Sequence, residues 1–359
     1  MKRFDIAIIG GGIAGASLAA EVAPHASVVI LEGEDAAGYH STGRSAAFWS
    51  ETYGGPYIQP LTSASGDAIA PYLAPLGSLH IGRADEAAKI DAFLAEFAGS
   101  GVELTRVDPR EHVPGLRDDW TLGILEPTCA YIDVGGLHGD VLGRFKRAGG
   151  ELRLSAAFQT ATREGGDWRI ETAAGTVSAG ILVDAAGAWA DPVAARVGVE
   201  PLGIQPYRRT LVQLRTDPPV PDDMVHVAHI GGQFYFKPEA GGKLWLSPSD
   251  ETSTDPCDAA PEELDVAIAI DRLEQAVDWR IRAVERKWAG LRSFAPDRLP
   301  VYGFDRDVEG FFWCAGQGGF GIQTAPAAAR VAAALLLGRT PDASVADIDA
   351  GQYSPSRFG

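Results

Sequence analysis

Three glycines, Gly10, Gly12 and Gly15, constrain this chain of 359 residues more than any other feature. They follow Phe4 to Ile9, a short β-branched run that reads as a buried strand, and they open Ala14 to Val22, which reads as a helix. Ser27 to Leu31 is then a second apolar strand, ending at Glu32, so that one βαβ unit is complete. A bare G-x-G-x-x-G arises often by accident, but in this setting each residue has a task. Gly10 makes the tight turn, Gly12 lets the backbone approach a pyrophosphate, and Gly15 lets helix and strand pack closely. The helix start at Ile13 and Ala14 faces the phosphates, and Glu32, followed by Gly33, accepts hydrogen bonds from a ribose.

Farther along, the pattern from Gly33 to Gly82 breaks into Gly, Ser, Thr and aromatic residues, without the helix and strand that would continue a simple nucleotide domain. Asp85 to Phe97 has helical spacing, as do Leu137, Val141, Leu142 and Phe145. Glu151 to Asp184 reads as a small meander, and its last strand runs into Ala185, Ala186 and Gly187. Residues 205–250 alternate apolar and polar positions, which suggests an antiparallel sheet. Glu262 to Val277 is a helix after Pro261, Phe311 to Ala315 a strand, and Thr324 to Leu337 an Ala-rich helix. The order implies nucleotide-binding pieces at both ends and in the middle, with sheet-rich pieces inserted between them.

Composition excludes several classes. Lys plus Arg number 31 and Asp plus Glu 48, a net charge of −17 that argues against nucleic acid or an anionic membrane surface as the main partner. Cys129, Cys257 and Cys314 lie too far apart to suggest a disulfide framework or a metal site, so a reduced cytoplasmic compartment is expected. The charged start Met1-Lys2-Arg3 imitates a secretory leader, but the glycine fingerprint keeps the segment in the fold. No window of ~18 apolar residues predicts a transmembrane helix.

A second formal match, Gly316, Gly318 and Gly321, also lies between a strand and a helix, but no strand ending in an acid follows it. Two uses fit: an ordinary strand-to-helix turn, or a flavin site in which amides from Gly321 to Thr324 meet the negative N1 and C2 carbonyl region of a reduced isoalloxazine.

Four strings together resemble the D-amino acid oxidase (DAO) family of FAD-dependent oxidoreductases. They are the N-terminal fingerprint, Gly38-Tyr39-His40-Ser41-Thr42-Gly43-Arg44-Ser45-Ala46-Ala47, Val183-Asp184-Ala185-Ala186-Gly187-Ala188-Trp189, and Trp288-Ala289-Gly290-Leu291-Arg292-Ser293-Phe294. Within that family, His40 to Ala47 and Gln317 to Thr324 are most similar to the bacterial D-arginine dehydrogenases. The resemblance implies an α/β fold: a glutathione-reductase-type, Rossmann-like FAD-binding domain (1–47, 134–202 and 296–359) with an inserted, mainly antiparallel substrate domain (48–133 and 203–295). Bound FAD is expected to be non-covalent, because Arg44 stands near where some relatives attach it through histidine, and His40 is then a packed or phosphate-side residue. The FAD contacts implied are Gly10, Gly12, Ile13, Ala14, Gly15, Glu32, Gly33, Ser41, Thr42, Gly43, Arg44, Ser45, Ala46, Ala47, Gln159, Ala186, Gly187, Gly318, Gly319, Gly321, Ile322 and Gln323.

Oxidising an amine at its α-carbon requires the C–H bond to be held over flavin N5, the carboxylate anchored and the amine kept neutral; no metal is needed. An arginine fork suits a carboxylate. Arg209 and Arg292 match family arginines that contact substrate, and alternation along a strand allows only one of Arg208 and Arg209 to face the pocket. Tyr53 and Tyr235 match substrate-side tyrosines, although each also suits a packed core position. Phe48 and Ser78 replace the histidine and the guanidinium-gripping glutamate of the D-arginine dehydrogenases. With Trp49, Gly319 and Phe320, they imply a more apolar pocket for a neutral side chain.

The leading expectation is therefore oxidation of a D-amino acid by hydride transfer to flavin, giving an imino acid that hydrolyses to a 2-oxo acid. Oxidation of a 2-hydroxy acid or a secondary amino acid is a second possibility, and a non-catalytic flavin-binding assembly protein a third. The electron acceptor is left open among a quinone, with peripheral membrane association, another carrier, and O2.

Overall fold

The computed structural model describes residues 1–358, which form two large sheets and a small one. Lys2–Ile9 runs parallel to Val28–Leu31 on one side and to Gly175–Asp184 on the other. Glu151–Arg153 and Phe311–Ala315 extend that parallel sheet at its two ends. Alternate residues of the first strand enter different cores, which is why it reads as apolar throughout. Ile6 and Ile8 meet the helices Ile13–Val22, Val134–Arg147 and Gly321–Leu337, whereas Ala7 and Ile9 meet the antiparallel meander of Phe158–Glu164 and Asp167–Thr172.

The second sheet has ten strands. Its long pair, Gln205–Asp217 and Arg280–Phe294, is antiparallel, and Lys243–Ser247, Tyr235–Glu239 and His226–His229 follow in order. Ser78–Arg83 then joins His226–His229 in parallel, and Trp120–Glu126 and Thr105–Val107 complete it. Helix Glu263–Ala276 covers one face through Val266, Ala269 and Leu273. The other face turns toward the parallel sheet.

Two elements differ from the sequence reading. The aperiodic stretch 33–82 contains a helix, Gln59–Ile69, which begins with Pro60 in its first turn and is rich in Ser and Thr. It buries Leu61, Ser65 and Ile69 against the final helix, which begins at Gly321 rather than Thr324 and carries Pro326 inside it. Proline disturbs the helical ladder at its own position. The Ala327 N–H is satisfied by donating to Ser65 Oγ at 3.1 Å. No helix among the described residues is long and apolar enough to cross a membrane.

Candidate functional site

Between the two sheets lies a cavity of 490 Å³, reached by the ends of both sheets and by the segment 38–53. At one end are the fingerprint glycines, each explained by what a side chain would meet. A Cβ on Gly10, whose φ is +101°, would stand 2.5 Å from the Ala185 carbonyl, and one on Gly15 would stand 2.1 Å from the Gly10 carbonyl. Gly15 thus serves helix–strand packing and lies off the cavity wall, whereas Gly10, Gly12, Ile13 and Ala14 line it. Gly12 caps the first helix without a side-chain partner, and Thr42 Oγ1 accepts the Ile13 N–H at 3.0 Å.

Glu32 lies on the wall with Gly33, and its carboxylate accepts the Gly11 and Glu34 N–H groups at 2.7 and 3.0 Å. Each oxygen retains a lone pair for a ribose hydroxyl. The strand-end acid Asp184 differs: it is wholly buried, with Oδ2 unpartnered, and burial pushes its carboxyl well above the usual range.

The segment 41–47 also borders the cavity. Ser41 donates to the Leu291 carbonyl (2.7 Å), Arg44 donates to the Ala259 carbonyl (2.9 Å) and to Asp258, and Ser45 Oγ accepts from the Ala47 N–H (3.0 Å). Ala47 has φ +57°, a left-handed conformation uncommon for a residue with a Cβ and concentrated at functional sites. His40 packs on Trp189 and meets Glu34 at 2.9 Å. Ala46, Ala186, Gly187, Gly318, Gly321, Ile322 and Gln323 are on the wall as well. The second long helix opens there at Gly321 with no side-chain cap and no acid in its first turn. Two helix N-termini whose N-cap residues offer no side-chain cap, a strand-end glutamate and a glycine cradle fit the phosphates, ribose and ring of FAD.

Besides Gly15, two expected contacts lie elsewhere. Gln159 is exposed: the pairing register slips between Phe158 and Thr160, and that bulge turns its side chain out, leaving Ala157 and Phe158 on the wall. Gly43 closes a turn, its N–H donating to the Gly38 carbonyl at 2.8 Å, and is not on the wall.

At the other end, strand register sets the wall. Arg209 stands opposite Gly290 and Tyr207 opposite Arg292, so Arg209, Leu211 and Arg292 share the cavity face. Arg208 faces the opposite side, paired with Asp265 at 2.9 Å and with Glu262. Arg209 is only 7% exposed; it donates to the Asp250 carbonyl (2.8 Å) and to Glu251 (3.1 Å). Burial and the nearby Arg292 charge lower its pKa. Among the described residues Arg292 donates only to the Tyr235 hydroxyl, at 3.5 Å. Burial opposes its charge, but Tyr53, Tyr235, Glu251 and Asp250 outweigh burial and raise its pKa.

Tyr53 and Gly319 complete this end: a Cβ on Gly319 would fall 2.0 Å from the Tyr53 hydroxyl and 3.1 Å from Arg292 Cζ. Phe48 lies 5.3 Å from the Tyr53 ring and 6.0 Å from Tyr235.

Four expected pocket residues are placed differently. Tyr235 is off the wall and meets the cavity only through Arg292, because Phe48, Leu211 and Ala46 pack over its ring. Phe320 turns into a cluster with Ile58 and Phe294 beneath Tyr53. Trp49 is in the helix-side core. Ser78 is buried and shares a 2.9 Å hydrogen bond with His226 Nδ1, behind Phe48.

Sequence reasoning missed His226 and Glu126. His226 stacks 4.7 Å from Phe48, is enclosed with Nε2 unpartnered, and is held down to about 3 by burial and the charges of His80 and Lys237. Glu126 ends an apolar strand run, where an acid was the one available signal.

Residues 5–335 match the DAO family, described as FAD-dependent oxidoreductases. The chain is 27% identical to L-2-hydroxyglutarate dehydrogenase of Salmonella houtenae over 219 residues, 55% of this chain and about half (51%) of that protein. It is 26% identical to glycine oxidase of Geobacillus kaustophilus over 93% of each. Its fold matches L-proline dehydrogenase from P. horikoshii with a TM-score of 0.86 at 22% identity, covering 99% and 98% of the two chains.

Proposed function

Because the chain belongs to the DAO family of FAD-dependent oxidoreductases, we propose that it oxidises a D-amino acid with a neutral, apolar side chain to the imino acid, which water converts to a 2-oxo acid and ammonia. The observation that carries this reading is Arg292: a guanidinium on the cavity wall whose sole hydrogen-bond partner among the described residues is a tyrosine hydroxyl at 3.5 Å. A substrate carboxylate supplies the missing anion, and the fork takes both oxygens.

The glycine cradle, Glu32 and the Gly321 helix start would hold FAD non-covalently, and the bound flavin would supply the acceptor for the hydride of the substrate α-carbon. Tyr53 stands beside Arg292 and offers its hydroxyl to the carboxylate or the amine. Gly319, with no side chain, leaves room for the α-carbon between them. Phe48 forms the side-chain wall. The acids nearby are already engaged: Asp250 with Thr210, Glu251 with Arg209, and Glu126 with Ser50 and Thr52. Among the described residues a guanidinium side chain finds no free carboxylate, a loss of about 2–5 kcal/mol for a buried pair, so a D-arginine preference is not expected.

A 2-hydroxy acid is the second reading, favoured by the match to L-2-hydroxyglutarate dehydrogenase. The two are separated by mixing the yellow protein anaerobically with D-leucine, D-phenylalanine, D-methionine, D-arginine, N-methyl amino acids and 2-hydroxy acids, and following loss of flavin absorbance. Bleaching by neutral D-amino acids first is expected. Bleaching by D-arginine or hydroxy acids alone, or by none, overturns the proposal. Admitting air, then a soluble quinone, distinguishes oxygen from a carrier as electron acceptor.

A further inference from the structure

We propose that Glu126 is a positioning residue, whose buried carboxylate ties down the segment Ser50–Tyr53 so that the Tyr53 hydroxyl stands over Gly319 and beside Arg292. This rests on the reading that Tyr53 meets substrate. Glu126 closes the strand Trp120–Glu126 of the ten-stranded sheet and is 0% exposed. One oxygen accepts the Ser50 hydroxyl at 2.9 Å and the Thr52 hydroxyl at 2.6 Å; the other accepts the Glu51 N–H at 2.7 Å. His80 Nε2 lies 3.8 Å away and 3.4 Å from Thr52 Oγ1. Three consecutive residues thus donate to one carboxylate, and the next residue is Tyr53.

The same segment is held from the flavin side. Gln323 accepts the Ser50 N–H at 3.3 Å and donates to the Tyr53 carbonyl at 3.0 Å and to Thr62 Oγ1 at 2.9 Å. Ser50 therefore bridges the strand that bears Glu126 and the helix that begins at Gly321. Beyond Tyr53 the chain passes through Gly54 and Gly55, with φ of +103° and +81°, a stretch with little stiffness of its own. Rigidity must come from the anchors.

Charge matters as well as shape. A carboxylate is acceptor-only and takes three donors at once, whereas a glutamine has one acceptor oxygen and an amide that must itself donate. Burial pushes the Glu126 carboxyl up, but His80 and the Thr52 and Ser50 hydroxyls outweigh burial and hold it below its ordinary value, so it stays ionised. Glu126→Gln therefore breaks one or more of the three bonds and loosens Tyr53 without touching the cavity.

The test is a double-mutant cycle on the FAD-loaded protein, with kcat and KM measured for D-leucine and for the fastest-bleaching amino acid found above. Y53F is expected to lower kcat/KM, and E126Q to lower it about tenfold with flavin content retained. If Glu126 acts through Tyr53, adding E126Q to Y53F costs less than twofold more. A full, independent tenfold loss in the Y53F background would overturn the anchor while leaving the role of Tyr53 intact. Wild-type activity in Y53F would overturn that role and the anchor with it. Thr52→Val removes one donor only, and keeps the test open if E126Q does not fold. It should cost about threefold, again absorbed by Y53F, and an additive loss would refute the proposal.

Discussion

Gly319→Ala separates what the fold requires from what the site requires. The added methyl would stand 2.0 Å from the Tyr53 hydroxyl and 3.1 Å from Arg292 Nε and Cζ, where ordinary contact begins at 3.4 Å. The obstructing Tyr53 atom is the far end of a side chain, and Gly319 does not occupy the left-handed backbone region. Folding is therefore little affected, and the lower entropy of the unfolded chain offsets the strain, by about 0.4–1 kcal/mol. The site responds otherwise: Tyr53 must retreat by more than an ångström, or Arg292 must swing with it. Misplacement by ~1 Å costs on the order of 10²-fold in rate, or about 2.7 kcal/mol. We expect a Tm equal to or above wild type, unchanged flavin content, and a kcat/KM about a hundredfold lower in anaerobic stopped-flow reduction. Activity within threefold of wild type would refute the assignment of Gly319, Tyr53 and Arg292 to the substrate end.

Two further outcomes follow, one from the same wall and one from the layer behind Phe48. Arg292→Lys keeps a charge but loses the planar fork; kcat/KM should fall by ~10²-fold, and Arg292→Ala should lose about 2–5 kcal/mol of substrate stabilisation, both measured by flavin bleaching at varied substrate. His226 binds a proton near pH 3 in the folded protein, against 6.5 for the free group, so the unfolded chain holds more protons between those values. Stability then falls as pH drops through that window, by up to ~1.4 kcal/mol per unit from this residue. His226→Gln, which keeps a polar side chain beside Ser78, should flatten urea-unfolding stability between pH 6.5 and 3 relative to wild type; parallel profiles would rule this out.

The parts legible in sequence are those whose physics is local. The fingerprint strand and helix, the Glu32 terminus and the apolar strand Phe311–Ala315 are each encoded in one window of the chain. The alternation that lets one of two neighbouring arginines face the cavity is equally local, and it separates Arg209 from Arg208. What escaped depends on distant pairing. Ser78–Arg83 joins His226–His229 across 148 positions, as in the Ser78–His226 contact, and no periodicity announces that. Ser78 is therefore buried, though its place in the sequence suggested a pocket residue. Phe320 and Gln159 show that adjacency in sequence to a wall residue does not fix direction when a helix start or a bulge intervenes. Glu126 shows in the sequence only as an acid ending an apolar run, because its donors lie 74 to 76 residues away.

The global charge of −17 tells little about the cluster around Arg209 and Arg292, part of it behind the cavity wall, where the balance is reversed. Arg209 and Arg298 share the Glu251 carboxylate at 3.1 and 2.8 Å, and the buried Asp250 lies 4.0 Å from Arg209. Three guanidinium groups against two carboxylates leave one cation unbalanced, and the hydrogen bonds identify it as Arg292. One unbalanced cation accommodates one anion, so amino monocarboxylates should outperform dicarboxylates such as D-glutamate or 2-hydroxyglutarate. Glu251→Gln removes half of the compensation and turns Arg209 into a second available fork. The variant should gain severalfold in kcat/KM for D-glutamate relative to D-leucine, with the two substrates compared on one preparation so that any loss of folding cancels. A wild-type preference for D-glutamate, or a ratio unmoved by E251Q, would show that the charges on this wall are not partitioned in this way, and that Arg209 as well as Arg292 meets the substrate in the native protein.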